Sequence, residues 1–162
     1  MFPELLLVFV ALVLVAAWLL RGVWGRSRWQ KRLERGRKQL PRVWQSLEQQ
    51  FLEAAAATGK PRGLVWKESR FHDRALLARD CATGDLYALV GITIAFEAVL
   101  GGDMEDVAAV SNLRCATALL EWRDGQWCTA GRVLFNMEPH EAAEHYAKHL
   151  EAIGEIELSS NP

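Results

Sequence analysis

A chain of 162 residues that is 51% hydrophobic and 24% charged, with a formal net charge of −1, suffices for one modest domain and something extra. Such a composition excludes a disordered, collagen-like or disulfide-stapled chain. The averages conceal three unlike stretches. Residues 5–20 carry no charged side chain, residues 21–42 hold nine Lys/Arg against one Glu, and residues 43–162 hold ten basic against eighteen acidic residues. The near-neutral total is therefore a block of +8 cancelling a block of −8.

Residues 5–20 read LLLVFVALVLVAAWLL. Their Leu, Val and Phe side chains favour insertion as a helix by about 4–7 kcal/mol. Sixteen residues span only about 24 Å of a hydrocarbon core about 30 Å thick. Extension from Phe2 to Trp24, with Arg21 snorkelling at one interface, makes the span adequate. The sequence therefore predicts a transmembrane anchor over residues 1–24, with Leu5, Leu12, Trp18, Leu19 and Trp24 facing lipid. A cleavable signal would need positive charge ahead of the apolar run, and here the arginines follow it. The positive-inside rule then places the N-terminus outside and the rest of the chain on the cytoplasmic side of a bacterial inner membrane.

Residues 25–40 form a basic juxtamembrane linker, expected as a separate weak helix. Arg21 at the end of the anchor and Arg26, Arg28, Lys31 and Arg32 of the linker are the candidate contacts with anionic head groups, since an anchored basic segment cannot leave a charged leaflet. Nucleic acid would use the same charges, but no recognised nucleic-acid module accompanies them.

An α+β domain is expected over residues 41–154. Pro41 suits the first turn of a new helix. Val43, Trp44, Leu47, Phe51, Ala54 and Ala55 then recur at helical spacing as far as about residue 57, and Thr58-Gly59-Lys60-Pro61 stops the run. Strands are expected at residues 64–71, 75–80, 86–100, 113–122 and 127–135. His72-Asp73-Arg74 and Ala82-Thr83-Gly84 serve as corners, and a bend is placed near Gly91. Ala88, Val90, Ile92, Ile94 and Phe96 share one face at period two. Asp124-Gly125 signals a tight hairpin. Pro139, Ala142, Ala143, Tyr146, Leu150 and Ile153 predict a closing helix over residues 138–153, stopped by Gly154 and followed by a flexible tail, residues 155–162. The predicted architecture is an N-terminal transmembrane helix, a basic linker helix and about five mostly antiparallel strands in a curved sheet packed by an N-terminal and a C-terminal helix. It lacks the β-α-β alternation, GxGxxG and Walker patterns of nucleotide-binding folds.

The chemistry-bearing residues form no recognised constellation, so no catalytic, cofactor or metal site is assigned. If Trp122 faces Trp127, Cys128 lies opposite Glu121 and Cys115 opposite Leu134, about 20 Å away along the ladder, too far for a disulfide. Glu141, His145 and His149 fall at i, i+4 and i+8 but lack the HExxH arrangement. Gly102-Asp103-Met104-Glu105-Asp106 lacks the spacing of a calcium loop. His72-Asp73 has no nucleophile beside it, and Arg70, Glu97 and Arg132 read as outer-face charges.

The runs GGDMEDV, Asn112-Leu113-Arg114-Cys115-Ala116-Thr117-Ala118 and Phe135-Asn136-Met137-Glu138-Pro139 resemble a group of uncharacterised bacterial proteins of planctomycete type, over roughly residues 59–150. That resemblance implies a genuine folded domain and brings no catalytic residues. The functional expectation is a membrane-anchored cytoplasmic binding or assembly module whose partners are the membrane and an unidentified protein. The alternative is a small-ligand-binding or enzymatic cone-shaped α+β domain, NTF2-like or cystatin-like, on fold analogy alone.

Overall fold

The computed structural model describes residues 2–58, 64–102 and 114–158; within residues 2–24 it describes the side chains of Val8, Phe9, Leu12 to Val15 and Trp18. Two compact units divide the chain, Met1–Glu34 and Arg35–Pro162. The elements are helix α1 (Phe2–Thr58), strands β1 (Leu64–Asp80), β2 (Leu86–Ala98), β3 (Arg114–Arg123) and β4 (Gln126–Phe135), helix α2 (Pro139–His145) and strand β5 (Leu150–Glu157). The class is α+β with one five-stranded antiparallel sheet in the order β4-β3-β2-β1-β5.

In the first unit, Val8, Phe9, Leu12, Leu14 and Trp18 are exposed, Trp18 by 74%. Among the described residues no helix is long and apolar enough to cross a membrane. The side chains of Leu5, Leu19, Trp24 and Arg21, each assigned a membrane role from the sequence, lie outside the described residues, as do the backbone of Gly59 to Pro61 and the acidic loop from Asp103 onward.

The sequence separates a linker helix from a domain helix at Pro41, whereas α1 runs through Pro41 without interruption. Proline removes one backbone donor from a helix interior. Tertiary burial outweighs that loss: Leu40 before the proline and Leu47, Phe51 and Ala55 after it all lie at 1% exposure or less. Gly36 brings the helix close to the sheet. A Cβ there would stand 2.8 Å from Leu86 Cδ2, and the Trp127 indole N–H donates to the Gly36 carbonyl at 3.0 Å. Farther along, Phe51 meets Trp66 and Phe71 edge-on, with ring centroids 6.3 and 5.2 Å away.

The sheet's inner face, toward α1, is built from the even-numbered residues Leu86 to Phe96 of β2 and Ala116 to Trp122 of β3. The period-two pattern read in β2 is therefore realised. At the inner edge β4 bulges: Ala118 faces Val133 while Leu120 faces Thr129. Gly131 in that bulge has φ 69°, and a Cβ there would meet the Ala55 nitrogen and stand 2.6 Å from the Ala54 carbonyl carbon. Only glycine supplies both that dihedral and that approach without strain.

Three further expectations change. His72-Asp73-Arg74 is not a corner between two strands but an irregularity inside the single strand β1, lying between the pairs Phe71–Ile92 and Ala75–Val90. The bend placed near Gly91 belongs to the strand facing it. Lastly, the closing helix stops at His145, and residues 150–157 pair with β1 as strand β5 in place of a helix end and tail. Leu150 continues the helical spacing of Ala142 and Tyr146 but also begins a strand alternation with Ala152, and a bulge at Ile153 then brings Ile156 to the opposite face. The unpaired edge of β1 resolves the ambiguity in favour of a strand.

Candidate functional site

β4 and β5 occupy opposite edges, so the chain between them crosses the outer face of the sheet. α2 makes that crossing. Pro139 opens it, and the Glu138 N–H donates to Glu141 Oε2 at 3.0 Å. Ala143 packs beside Leu76, Ala78 and Leu89 in a small outer core completed by Leu119 and Leu150. Thr117, fully buried, donates its hydroxyl proton to the Met137 carbonyl at 2.7 Å and ties the β4–α2 connection to the sheet.

Seven helical residues cover only one end of that face. Beside α2 lies a cavity of about 340 Å³ between His72, Asp73 and Arg74 of β1, Gly91 of β2, Glu138 to His140 and Glu155 of β5. A second hollow of about 320 Å³ follows along the face, lined by Glu68, Arg70, Thr93 and Ala95. His72 stands between the two. Its Nε2 is hydrogen-bonded to Thr93 Oγ1 at 3.1 Å, and a Cβ on Gly91 would sit 2.6 Å from its Nδ1. The irregularity in β1 turns this imidazole onto the outer face, a common consequence of bulges, and the missing side chain at Gly91 gives it a seat.

The polar walls are mostly paired. His140 Nε2 meets Glu155 Oε1 at 2.7 Å, Arg70 meets Glu68 at 3.1 Å and Arg74 approaches Glu157 at 4.0 Å. Glu121 gathers Arg123 and Arg132 at 2.6 and 2.7 Å. Apart from the Glu121 carboxylate, which is mostly covered, these groups are solvent-accessible, and an exposed pair contributes at most about 1 kcal/mol. The backbone N–H groups of Thr83 and Ala82 hold the Asp80 carboxyl below its ordinary range. Both bond its Oδ1, at 2.7 and 2.8 Å, which fixes the β1–β2 turn.

Among the described residues no three His, Cys, Asp or Glu side chains converge on a metal-sized centre. Glu141 serves the start of α2, His145 stacks edge-on with Tyr146 at 4.9 Å, and His149 lies beyond the helix, its carbonyl accepting the Cys81 N–H at 2.8 Å. The i, i+4, i+8 relation read from the sequence therefore does not hold. Cys81, Cys115 and Cys128 are free thiols. The β4 bulge corrects one register: Cys128 does face Glu121, but Cys115 sits by Asn136, whose N–H donates to the Cys115 carbonyl at 3.2 Å, and not by Leu134. Burial pushes the Cys128 thiol up, the direction that disfavours the nucleophilic thiolate.

Of the residues singled out in the sequence, His72 lines the cavity, whereas Glu97 is exposed and Arg132 is exposed and paired with Glu121. Arg26, Arg28 and Lys31 are exposed on α1 and Arg32 is half-buried. The cavity itself was not legible, because its walls come from β1, β2, β5 and the lead-in to α2. One signal pointed to it: a glycine in the middle of the most regular strand. No family model, curated protein or solved structure matches the chain.

Proposed function

We propose that the protein is a single-pass, membrane-anchored module that presents a small α+β domain for binding or assembly on the cytoplasmic side of a bacterial inner membrane. The observation that carries the binding half is the contrast between a sealed inner face and an outer face left open beyond α2, with His72 seated between two polar hollows. The anchor half is supported by the uncharged run at residues 5–20, by the exposed apolar side chains Val8, Phe9, Leu12, Val13, Leu14, Val15 and Trp18, and by the basic block that follows. Arg21, Arg26, Arg28, Lys31 and Arg32 take the head-group contacts in this reading.

The competing reading, a ligand-enclosing cone or an enzyme, calls for an enclosed apolar pocket converging on His72, Glu97 and Arg132. Two of these three side chains point to solvent and the inner core is filled by side chains, which favours the binding module. Detergent phase separation and proteolysis of inverted membrane vesicles test the proposal. The chain should partition with detergent, and its C-terminal domain should be cleaved from outside such vesicles. A chain soluble without detergent, or a protected C-terminus, overturns it.

A further inference from the structure

The two outer-face hollows differ in charge. In the wall of the larger, beside α2, the acids Asp73, Glu138 and Glu155 stand against one arginine, Arg74. Glu155 already meets His140 at 2.7 Å, and Arg74 reaches Glu157 only at 4.0 Å. The Asp73 carboxylate takes part in no ion pair or hydrogen bond among the described residues. Its backbone is nonetheless held, because the Leu158 N–H donates to the Asp73 carbonyl at 2.7 Å. In the smaller hollow Glu68 and Arg70 pair at 3.1 Å and cancel. The larger hollow has Gly91 in its wall and the smaller has Thr93 and Ala95, all on β2, so the two lie about 7–13 Å apart along the strand.

We infer that the outer face receives an extended segment of a partner protein, with a lysine or arginine side chain in the cavity beside Asp73 and a further side chain of the same segment in the second hollow. The inference rests on the binding reading above and is independent of the anchor. Charge complementarity selects the residue. A cation gives the Asp73 carboxylate the partner it lacks, whereas an acidic side chain would face three carboxylates and an apolar one would cover Asp73 without pairing it. Spacing selects the extended segment. Alternate side chains of an extended chain repeat about every 7 Å on one face, so a single segment places one side chain in each hollow, the way pockets for alternate side chains give specificity in peptide recognition. A small amine fills only one.

Retention on the immobilised full-length chain in nonionic detergent, read by mass spectrometry, tests this. The probe is a pool of capped heptapeptides whose flanks are varied but uncharged and whose central residue is Lys, Arg, Gln or Glu. Peptides centred on Lys or Arg should be retained about threefold or more above those centred on Gln, and those centred on Glu least. Salt at about 0.5 M should remove the preference. Asp73→Asn should abolish it, and Asp73→Lys should transfer it to Glu, a gain that unfolding cannot produce. Asp124→Asn makes the same change of charge as Asp73→Asn at the exposed β3–β4 turn and should leave the preference intact; an equal loss in both variants would mean attraction to the acidic domain as a whole and overturns the inference. Ala95→Trp, which fills the second hollow, should release the basic peptides. Unchanged retention in that variant, or competition by agmatine as strong as by the basic heptapeptides, overturns the extended segment. Peptides retained without a basic preference but released by Ala95→Trp overturn the cation and leave the outer face standing as the binding surface. If no peptide is retained, or none responds to either substitution, the binding reading falls with the inference.

Discussion

The two faces of the sheet are made by the same strands and obey different rules. On the inner face, alternate residues of β2 and β3 are fully buried and aromatic rings interlock with α1; the helix backbone approaches so closely that Gly36 and Gly131 cannot carry a side chain without displacement. On the outer face, the intervening positions are Tyr87, Leu89, Gly91, Thr93, Ala95 and Glu97, and a seven-residue helix covers only the Leu89 end. One face is spent on stability and leaves no room. The other retains two hollows and an imidazole held by a threonine hydroxyl. Regions with few buried apolar contacts are where binding surfaces can be kept without dismantling a core.

That contrast can be broken by substitution, and the largest loss is expected on the inner face. Phe51→Ala removes a fully buried ring in contact with Trp66 and Phe71, and should cost about 4 kcal/mol in urea unfolding. Gly131→Ala combines a left-handed φ with a collision against the α1 backbone, and should cost about 2–3 kcal/mol. If either change proves neutral, α1 does not seal the sheet as described.

The outer face should yield more easily. Gly91→Ala pushes against a side chain, the His72 ring, rather than against backbone, and should cost about 1–2 kcal/mol. Adding His72→Ala should recover most of that loss in a double-mutant cycle; strict additivity would mean that the glycine does not seat the imidazole. Arg132→Ala removes an exposed guanidinium from Glu121, which keeps Arg123 as a partner, and should change stability by less than about 1 kcal/mol.

The smallest effect concerns acid. The Asp80 carboxyl titrates below its unfolded value because two backbone N–H groups bond its ionised form. Its contribution is therefore complete above the unfolded pKa and lost as pH falls through the lower, folded one. Asp80→Asn should flatten the fall in the urea midpoint between neutral and acid pH, leaving the remainder of that fall to other carboxylates. An unchanged slope would remove the turn as its source.

How much of this was legible depended on whether a feature was local. The alternation from Ala88 to Phe96 is a property of one strand, and Asp124-Gly125 supplies its own turn, with φ of 52° and 84°; both expectations hold. Pro41 was misleading because a local rule against proline competes with burial on either side of it. Leu150 was misleading because one residue fits two periods and the free edge that chooses between them lies about seventy residues earlier. The site suffered most. His72 stands out in the sequence, but its seat at Gly91, its bond to Thr93 and the cavity wall at His140 and Glu155 join distant segments.

By itself the sequence determined the charge asymmetry, the apolar N-terminal run and the α+β class, since these follow from composition and from periodicities that each segment carries alone. The tertiary structure decided that α1 continues through Pro41, where the last strand lies and which face of the sheet remains open. Those outcomes follow from competition between distant surfaces for burial, and no single segment contains the terms of that competition.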